Sequence, residues 1–184
     1  MTQTNIIEVI PEIDSAERAQ RLVGAGKFWG EHIAKDVTNA ELTYKVRGKG
    51  LGSVGTQLQA GKHTFHIDEP SALAGDDVAA SPVEVALGAF IACQIVVYRL
   101  YAQLLGISIE SIEATAEGDL DVRGLFGMDK NIRPGFSAIR ITTYVKGPET
   151  AERYAQLQRA VEENCPVLDL FANETPITGE LIVN

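Results

Sequence analysis

Residues 81–106 read SPVEVALGAFIACQIVVYRLYAQLLG and carry the strongest structural signals in the chain. The serine at the start is a good helix N-cap, Pro82 suits the first helical position, and Glu84 stands three residues after the cap, which completes a capping box. We therefore predict a helix from Pro82 to about Leu105, ended by the glycine that follows. It is the most apolar helix of the protein and is expected to lie at its centre.

The composition around this helix is that of a globular protein. The chain has 184 residues, 45% of them hydrophobic, and its 16 Lys+Arg against 25 Asp+Glu give a net charge of −9. With no basic run to offset that charge, a nucleic-acid partner is excluded. The longest apolar run, Val85–Val97, has 13 residues, fewer than the roughly 20 needed to cross a bilayer. No secretory leader is visible, so we expect no membrane partner and a cytoplasmic location.

Strands and helices are segregated along the chain, which favours an α+β fold with an antiparallel sheet over a doubly wound one. Leu42, Tyr44 and Val46 alternate with polar residues, as in a half-buried strand. Further strands are predicted at 56–60, 62–68, 107–117, 136–146 and 177–183. Further helices are predicted at 14–23, where glycines end the helix, at 149–163, and after Pro166. The helix at 149–163 is expected to point Tyr154, Leu157 and Val161 inward. Residues 1–40 are interpreted as an N-terminal extension with a short helix, and residues 41–184 as the main domain.

Two patterns that imitate binding motifs are rejected. Residues 50–55 spell G-x-G-x-x-G after a predicted strand, but the next strand begins too soon for the crossover helix that a dinucleotide site requires. His63 and His66, three apart on a strand, point to opposite faces, so a shared metal is not expected. We predict no cofactor and no metal site.

The two cysteines are the candidate reactive groups, and each has a structural alternative. Cys93 lies in the apolar helix, where cysteines are commonly inert core residues, but Gly88, Ala89 and Ala92 keep the helix thin enough for close approach. Cys165 falls between one predicted helix and the proline that begins the next. A cysteine there is favoured as thiolate by the helix N-terminus, or it simply fills a helix break.

The chain resembles the OsmC/Ohr family, the osmotically inducible and organic hydroperoxide resistance proteins. The likeness covers about residues 41–184 and places both cysteines at motif positions. Its motifs are 68–70 with 74–77, 81–84 through 88–89 to 92–93, 121–124 with 134–136, and 163–167.

The resemblance implies an intertwined homodimer with antiparallel sheets around two long central helices and a site at the subunit interface. By that likeness Cys93 is the peroxidatic thiol, which attacks an organic hydroperoxide. Cys165 is the resolving thiol, which forms a disulfide that a dithiol reductant reopens. Apolar walls from Phe90, Val96 and Val97 are expected to suit alkyl or lipid hydroperoxides.

The sequence departs from the peroxidatic members at the groups that hold the thiolate. Those members pair an arginine from an early strand with a glutamate directly after the proline, where this chain has Val83 and then Glu84. Nine residues separate Glu84 from Cys93, which at about 100° per residue puts them on opposite sides of the helix. Glu84 is therefore first a capping residue, acting at a site only through an arginine or across the dimer. Arg47 is the best match for that arginine, with Lys45 and Lys49 as competitors, whereas Arg123 is interpreted as a loop ion pair.

Three functions follow from this sequence. The first is a thiol peroxidase that reduces organic hydroperoxides. The alternative is a non-catalytic OsmC-like dimer that binds an apolar small molecule at its interface, favoured by Val83 where the peroxidases carry their acid. The third is redox sensing without turnover.

Overall fold

A computed structural model describes residues 10–183, and the chain divides into two compact units, Met1–Glu41 and Leu42–Asn184. In the first unit, α1 spans Ser15–Lys35, with Asp14 as its N-cap. The prediction that this helix ends before the glycines at 24 and 26 is wrong. A glycine weakens a helix but ends it only where the backbone turns left-handed, and ring contacts between Phe28 and His32 support the later turns.

The second unit begins with an antiparallel meander of β1 (Val46–Leu51), β2 (Gly55–Ala60) and β3 (His63–Ile67). The hairpin between β1 and β2 leaves no room for a crossover helix, as expected. The predicted start of β1 at Leu42 is wrong, because Val46 pairs with Ala60 at the end of β2 and earlier residues find no partner there. β1 also continues through the glycines at 48 and 50, and the chain turns only after Leu51.

The loop from β3 to the central helix is held by a buried carboxylate. Asp68 is 4% exposed and accepts hydrogen bonds from the backbone N–H groups of Asp76 at 3.0 Å and Val78 at 3.3 Å. Backbone hydrogen bonds hold the pKa of the Asp68 carboxyl below its ordinary value, and the bond from Glu69 has the largest effect. Burial of the carboxyl opposes them. Gly75 crosses so close to the Glu69 carbonyl that no side chain fits. These contacts hold the loop that leads into the central helix.

We expect Asp68→Asn to lower the free energy of unfolding at about pH 7, since the amide replaces a charged acceptor of several N–H groups. A carboxyl whose pKa is depressed in the fold adds stability above its ordinary pKa of 3.8 and loses it as the pH falls through the lower folded value. The difference in free energy of unfolding between the variant and wild type, measured by urea unfolding, should therefore be smaller at about pH 3 than at about pH 7. Asp77→Asn, an exposed neighbour, is the control; an equal loss of stability there would contradict the assignment.

The central helix α2 spans Pro82–Leu105, as predicted, with the capping box at Ser81 and Glu84 and a left-handed Gly106 at its end. By length and composition alone it is apolar enough to cross a membrane, with a mean hydropathy of 1.7 over 18 residues. The length argument from the 13-residue apolar run is therefore wrong for the helix as a whole. Its residues Phe90, Val97 and Tyr98 are nevertheless buried against the rest of the unit, as in a core helix.

A second antiparallel pair and two helices pack on α2. β4 (Ser111–Asp119) pairs along its whole length with β5 (Ala138–Lys146), and the short α3 (Val122–Leu125) lies between them. Both strands begin later than predicted because their register ends where Ser111 meets Lys146 and Asp119 meets Ala138. α4 (Ala151–Asn164) and α5 (Pro166–Ala172) follow. The core contains Val97, Tyr98, Ala102, Ile107, Leu157, Val161 and Cys165, and Tyr154 packs against it as predicted.

The closing strand predicted at 177–183 is not formed. These residues are irregular, and Ile177, Leu181 and Val183 are each more than 80% exposed. The alternating pattern that predicted a strand is present, but a strand needs a partner with free backbone groups, and none within the described chain pairs with this one. The segment thus presents an unpaired apolar tail.

Candidate functional site

The fold brings the two cysteines together. Cys93 lies midway along α2, and Cys165 ends α4 and begins α5. Cys165 is 3% exposed within the core, and the half-buried Cys93 packs against the same cluster. The Cys93 thiol interacts with the Cys165 thiol and with the backbone N–H of Val167. Two sulfur atoms far apart in the sequence are therefore neighbours beneath the central helix.

Burial raises the pKa of the Cys93 thiol above its ordinary value. The N–H of Val167 opposes this by stabilising the thiolate, whereas the Cys165 thiol raises the pKa further. No cation from residues 10–183 is among the causes of the shift. Within residues 10–183, burial and the second thiol therefore disfavour the Cys93 thiolate, and the Val167 N–H favours it.

The other two predicted site residues lie elsewhere. The Glu84 carboxylate accepts hydrogen bonds from the Ser81 backbone N–H at 2.8 Å and its hydroxyl at 2.6 Å. Both bonds lower the pKa of Glu84, and the bond from the hydroxyl has the larger effect. Arg47 is exposed on β1, opposite Gln59. Neither is among the groups that act on Cys93. Glu84 therefore caps the helix, as its spacing predicted.

Arg123 is committed to its own loop. Its Nη2 donates to the Asp121 carboxylate at 2.6 Å, and its backbone N–H donates to the same side chain at 3.0 Å. The interpretation of Arg123 as a loop ion pair is confirmed.

An apolar cavity of about 520 Å³ lies between α2, β5 and α5. Phe90, one helical turn before Cys93, forms part of its wall and meets Phe171 edge to face at 5.7 Å between ring centroids. Arg133 is the charged residue in this lining. The predicted apolar wall is corrected here: Phe90 lines the cavity, but Val97 is buried in the core and Val96 is exposed.

Sequence reasoning missed Arg133. It precedes the Pro-Gly-Phe segment that carried part of the family likeness, and that position is its only signal in the sequence. It lies in an irregular loop, where no periodicity indicates which way a side chain points. Only the fold places this loop beside α5.

A second cavity, about 420 Å³ and more polar, lies where α4 meets α5. Cys165 forms part of its lining, together with the acidic residues Glu162, Glu163 and Asp169. This cavity shares Leu168 and Ala172 with the lining of the apolar cavity, but Cys165 lines only the more polar one.

One face of α2 is left uncovered by residues 42–183. Gly88, Ala89, Ala92 and Val96 are exposed, and only 22% of the most apolar window of the helix is buried. Small residues in a row let another helix approach closely.

The protein has an α+β fold, and its two thiols meet beneath the central helix. The fold consists of the meander, the long apolar helix, the β4–β5 pair and the two closing helices. A family model described as OsmC-like protein matches residues 75–180. The chain therefore belongs to the OsmC/Ohr family, and the resemblance seen in the sequence is confirmed. No curated protein gives a significant sequence match.

Solved structures share the fold at low sequence identity. An OsmC-like protein from Mycoplasma pneumoniae is 14% identical, with a TM-score of 0.63 over 72% of this chain and 89% of that one. An organic hydroperoxide resistance protein OsmC from Legionella pneumophila is 21% identical, with a TM-score of 0.54 over 71% and 89%. An organic hydroperoxide resistance protein from Elizabethkingia anophelis is 19% identical, with a TM-score of 0.55 over 71% and 88%. These similarities confirm the α+β, OsmC-like fold class.

Proposed function

We propose that this protein is a thiol peroxidase that reduces organic hydroperoxides, with Cys93 as the peroxidatic and Cys165 as the resolving cysteine. The observation that carries the proposal is the interaction between the two thiols beneath α2. A sulfenic acid formed at Cys93 has its trapping thiol already beside it, which protects it from over-oxidation. The organic hydroperoxide resistance proteins that share the fold support the same chemistry.

The reaction balances with these two sulfurs and an external dithiol. The Cys93 thiolate attacks the distal oxygen of the hydroperoxide, the O–O bond breaks, and the leaving alkoxide takes a proton to become an alcohol. The Cys165 sulfur then attacks the sulfenic sulfur, forming the S–S bond and releasing water. A dithiol reductant returns two electrons and two protons by thiol–disulfide exchange. We expect the dithiol reductant to approach from the acidic cavity beside Cys165.

The working unit in this proposal is a homodimer. Residues 42–183 leave the small-residue face of α2 and the apolar tail at 177–183 uncovered. In the proposed dimer, a second copy buries both surfaces. The dimer also supplies the missing cation. Arg47, exposed on the meander, is proposed to face Cys93 across the interface, with the second oxygen of Glu84 holding its guanidinium. Arg47 and Glu84 thereby act as the thiolate-stabilising pair, and the cytoplasm keeps both thiols reduced between turnovers.

The test is the mass of the oxidised protein. Reduced wild type treated with one equivalent of cumene hydroperoxide should lose two hydrogens, and peptide mapping should locate a Cys93–Cys165 bond. In Cys165→Ser the disulfide cannot form, so a sulfenic acid should accumulate at Cys93 and react with dimedone. Excess peroxide should carry it on to sulfinic acid. Ser111→Ala, far from both cavities, is the control. Unchanged wild-type mass would refute the peroxidase.

The competing function is an OsmC-like binding protein, favoured by the raised pKa of Cys93 and by the apolar cavity. The two are separated by titrating the reduced dimer with a thiol reagent. In a peroxidase, the reagent should rapidly modify one thiol per chain at neutral pH. In a binding protein, both thiols should stay unmodified until the protein unfolds.

A further inference from the structure

The helix of the first unit has an exposed apolar face. None of the 21 residues of α1 is buried. At about 100° per residue, one side of the helix gathers its larger apolar side chains. This apolar face consists of Ala19, Leu22, Val23, Trp29 and Ile33. Val23 is 54% exposed and Trp29 is 38% exposed, and residues 10–41 contain no second long helix or strand that could cover them. The face is therefore available to a partner.

The charges of α1 are arranged around the apolar face. Four basic residues against two acidic ones give the helix a net charge of +2, whereas the whole chain carries −9. By the same helical spacing, Arg18 and Lys27 lie on the two borders of the apolar face, and Glu17 and Glu31 lie on the opposite side. Cations on both borders of an apolar face are typical of helices that lie on anionic lipid.

Both border cations have donors available for an outside partner. The Lys27 side chain is 75% exposed, and its ammonium stands 3.8 Å from Glu31, a long ion pair that water screens. Arg18 uses one guanidinium nitrogen to donate to the Ile13 carbonyl at 3.1 Å. The long aliphatic stems of both residues let the charged groups reach outward while the apolar side chains beside them are buried.

Three interior glycines weaken the helix as an isolated element. Gly26 and Gly30 lie within the apolar face, and Gly24 lies opposite it. A Cβ at any of the three would meet nothing within 4 Å, so no close approach within residues 10–183 requires a glycine there. Glycine lowers helix propensity, and an amphipathic helix gains most of its stability from the surface that buries its apolar face. The helix is thus suited to be stabilised by a partner surface.

Charge distinguishes a lipid surface from a second copy of the same helix. Two copies of α1 would bring two net charges of +2 together, whereas anionic headgroups neutralise them. Tryptophan is favoured at the boundary between water and lipid, and Trp29 lies at one edge of the apolar face. The expectation of no membrane partner rested on the length needed to span a bilayer, a requirement that does not apply to a helix lying on its surface.

We propose that α1 binds the surface of an anionic lipid membrane. The helix lies parallel to the surface, with Leu22, Val23 and Trp29 among the upper parts of the acyl chains. Arg18 and Lys27 contact the lipid phosphates on either side, and the carboxylates face water. This binding is a property of the first unit and does not depend on the peroxidase proposed for the second.

The test uses Trp29, the only tryptophan of the chain, whose fluorescence reports on α1 alone. Reduced full-length protein is titrated with vesicles of equal parts phosphatidylcholine and phosphatidylglycerol. The Trp29 emission should shift to shorter wavelength and saturate, because the indole leaves water. Vesicles of phosphatidylcholine alone should bind roughly tenfold or more weakly, and added salt should weaken binding to the anionic vesicles. Co-sedimentation with the vesicles measures the same affinities independently of fluorescence.

Two variants place the same charge on opposite sides of the helix. Val23→Glu puts a carboxylate into the apolar face and should weaken binding to the anionic vesicles on the order of a hundredfold, because the charge must be buried in lipid. Gly24→Glu, the control, adds its carboxylate on the side that faces water. It should weaken binding by no more than about fivefold, the effect of one charge near an anionic surface.

The contrary outcomes are distinct. Equal affinity for neutral and anionic vesicles, equal losses in Val23→Glu and Gly24→Glu, or no binding to either kind of vesicle would each overturn the proposal. If Val23→Glu lowers the sedimentation coefficient of the lipid-free protein and leaves vesicle binding unchanged, a second copy covers the face and the membrane proposal is wrong. Failure of the wild type to reduce cumene hydroperoxide, with vesicle binding as expected, would remove the peroxidase and leave the membrane-binding helix.

Discussion

Cys93→Ser is expected to consume cumene hydroperoxide at no more than the uncatalysed rate, a loss on the order of a thousandfold or more, the scale of removing a covalent nucleophile. A hydroxyl at this position is far less acidic than a thiol and cannot attack the peroxide bond. The remaining thiol, Cys165, is 3% exposed in the core and faces the acidic cavity rather than the apolar one. We therefore expect it to give no substitute activity. The measurement is peroxide consumption with a dithiol in excess.

Serine is close to cysteine in shape, so the fold should survive, and thermal unfolding of Cys93→Ser checks this. Gln103→Ala, on the same helix but away from the thiols, should keep wild-type turnover. Consumption of peroxide by Cys93→Ser at the wild-type rate would remove the peroxidatic role from this residue. Loss of activity in Gln103→Ala would instead indicate that any change in α2 disturbs the protein.

Signals that act within a few residues made the central helix predictable from sequence. Ser81, Pro82 and Glu84 satisfy the first backbone donors locally, and Gly106 ends the helix in a left-handed conformation. Such features need no knowledge of distant parts of the chain. The same local reasoning failed for α1, because glycine lowers helix propensity without dictating where a helix stops.

Strand ends and the site depend on distant partners, and those are where prediction was weaker. β1 begins at Val46 because β2 ends at Ala60, a fact that the alternation from Leu42 onward does not contain. The meeting of Cys93 and Cys165 was implied by family likeness, since their spacing alone gives no distance. Arg133 was missed because a loop arginine has no pattern until the fold sets it beside a cavity.

Ala92→Glu is expected to convert the proposed dimer into monomers and to reduce the proposed peroxidase activity on the order of a hundredfold. Ala92 lies on the exposed small-residue face of α2. A glutamate there places one carboxylate from each copy at a closely packed apolar contact, where an unpaired charge is costly to bury. Sedimentation of the reduced protein measures the assembly. Ala155→Glu, the same change on the exposed side of α4, should leave the dimer and its activity intact.

The loss of activity follows from the electrostatics of a single chain. Burial and the Cys165 thiol raise the pKa of Cys93, and among residues 10–183 only the Val167 N–H opposes them. Without the cation that the proposed partner subunit supplies, the thiolate is disfavoured; removing one preorganised electrostatic stabiliser typically costs about 10² to 10³ in rate. The monomeric variant should therefore react with iodoacetamide along a curve displaced to higher pH than wild type, because its thiol ionises later. A monomer with full turnover and an unshifted curve would mean that one chain activates its own thiol, and the roles proposed for Arg47 and Glu84 across the interface would fail together.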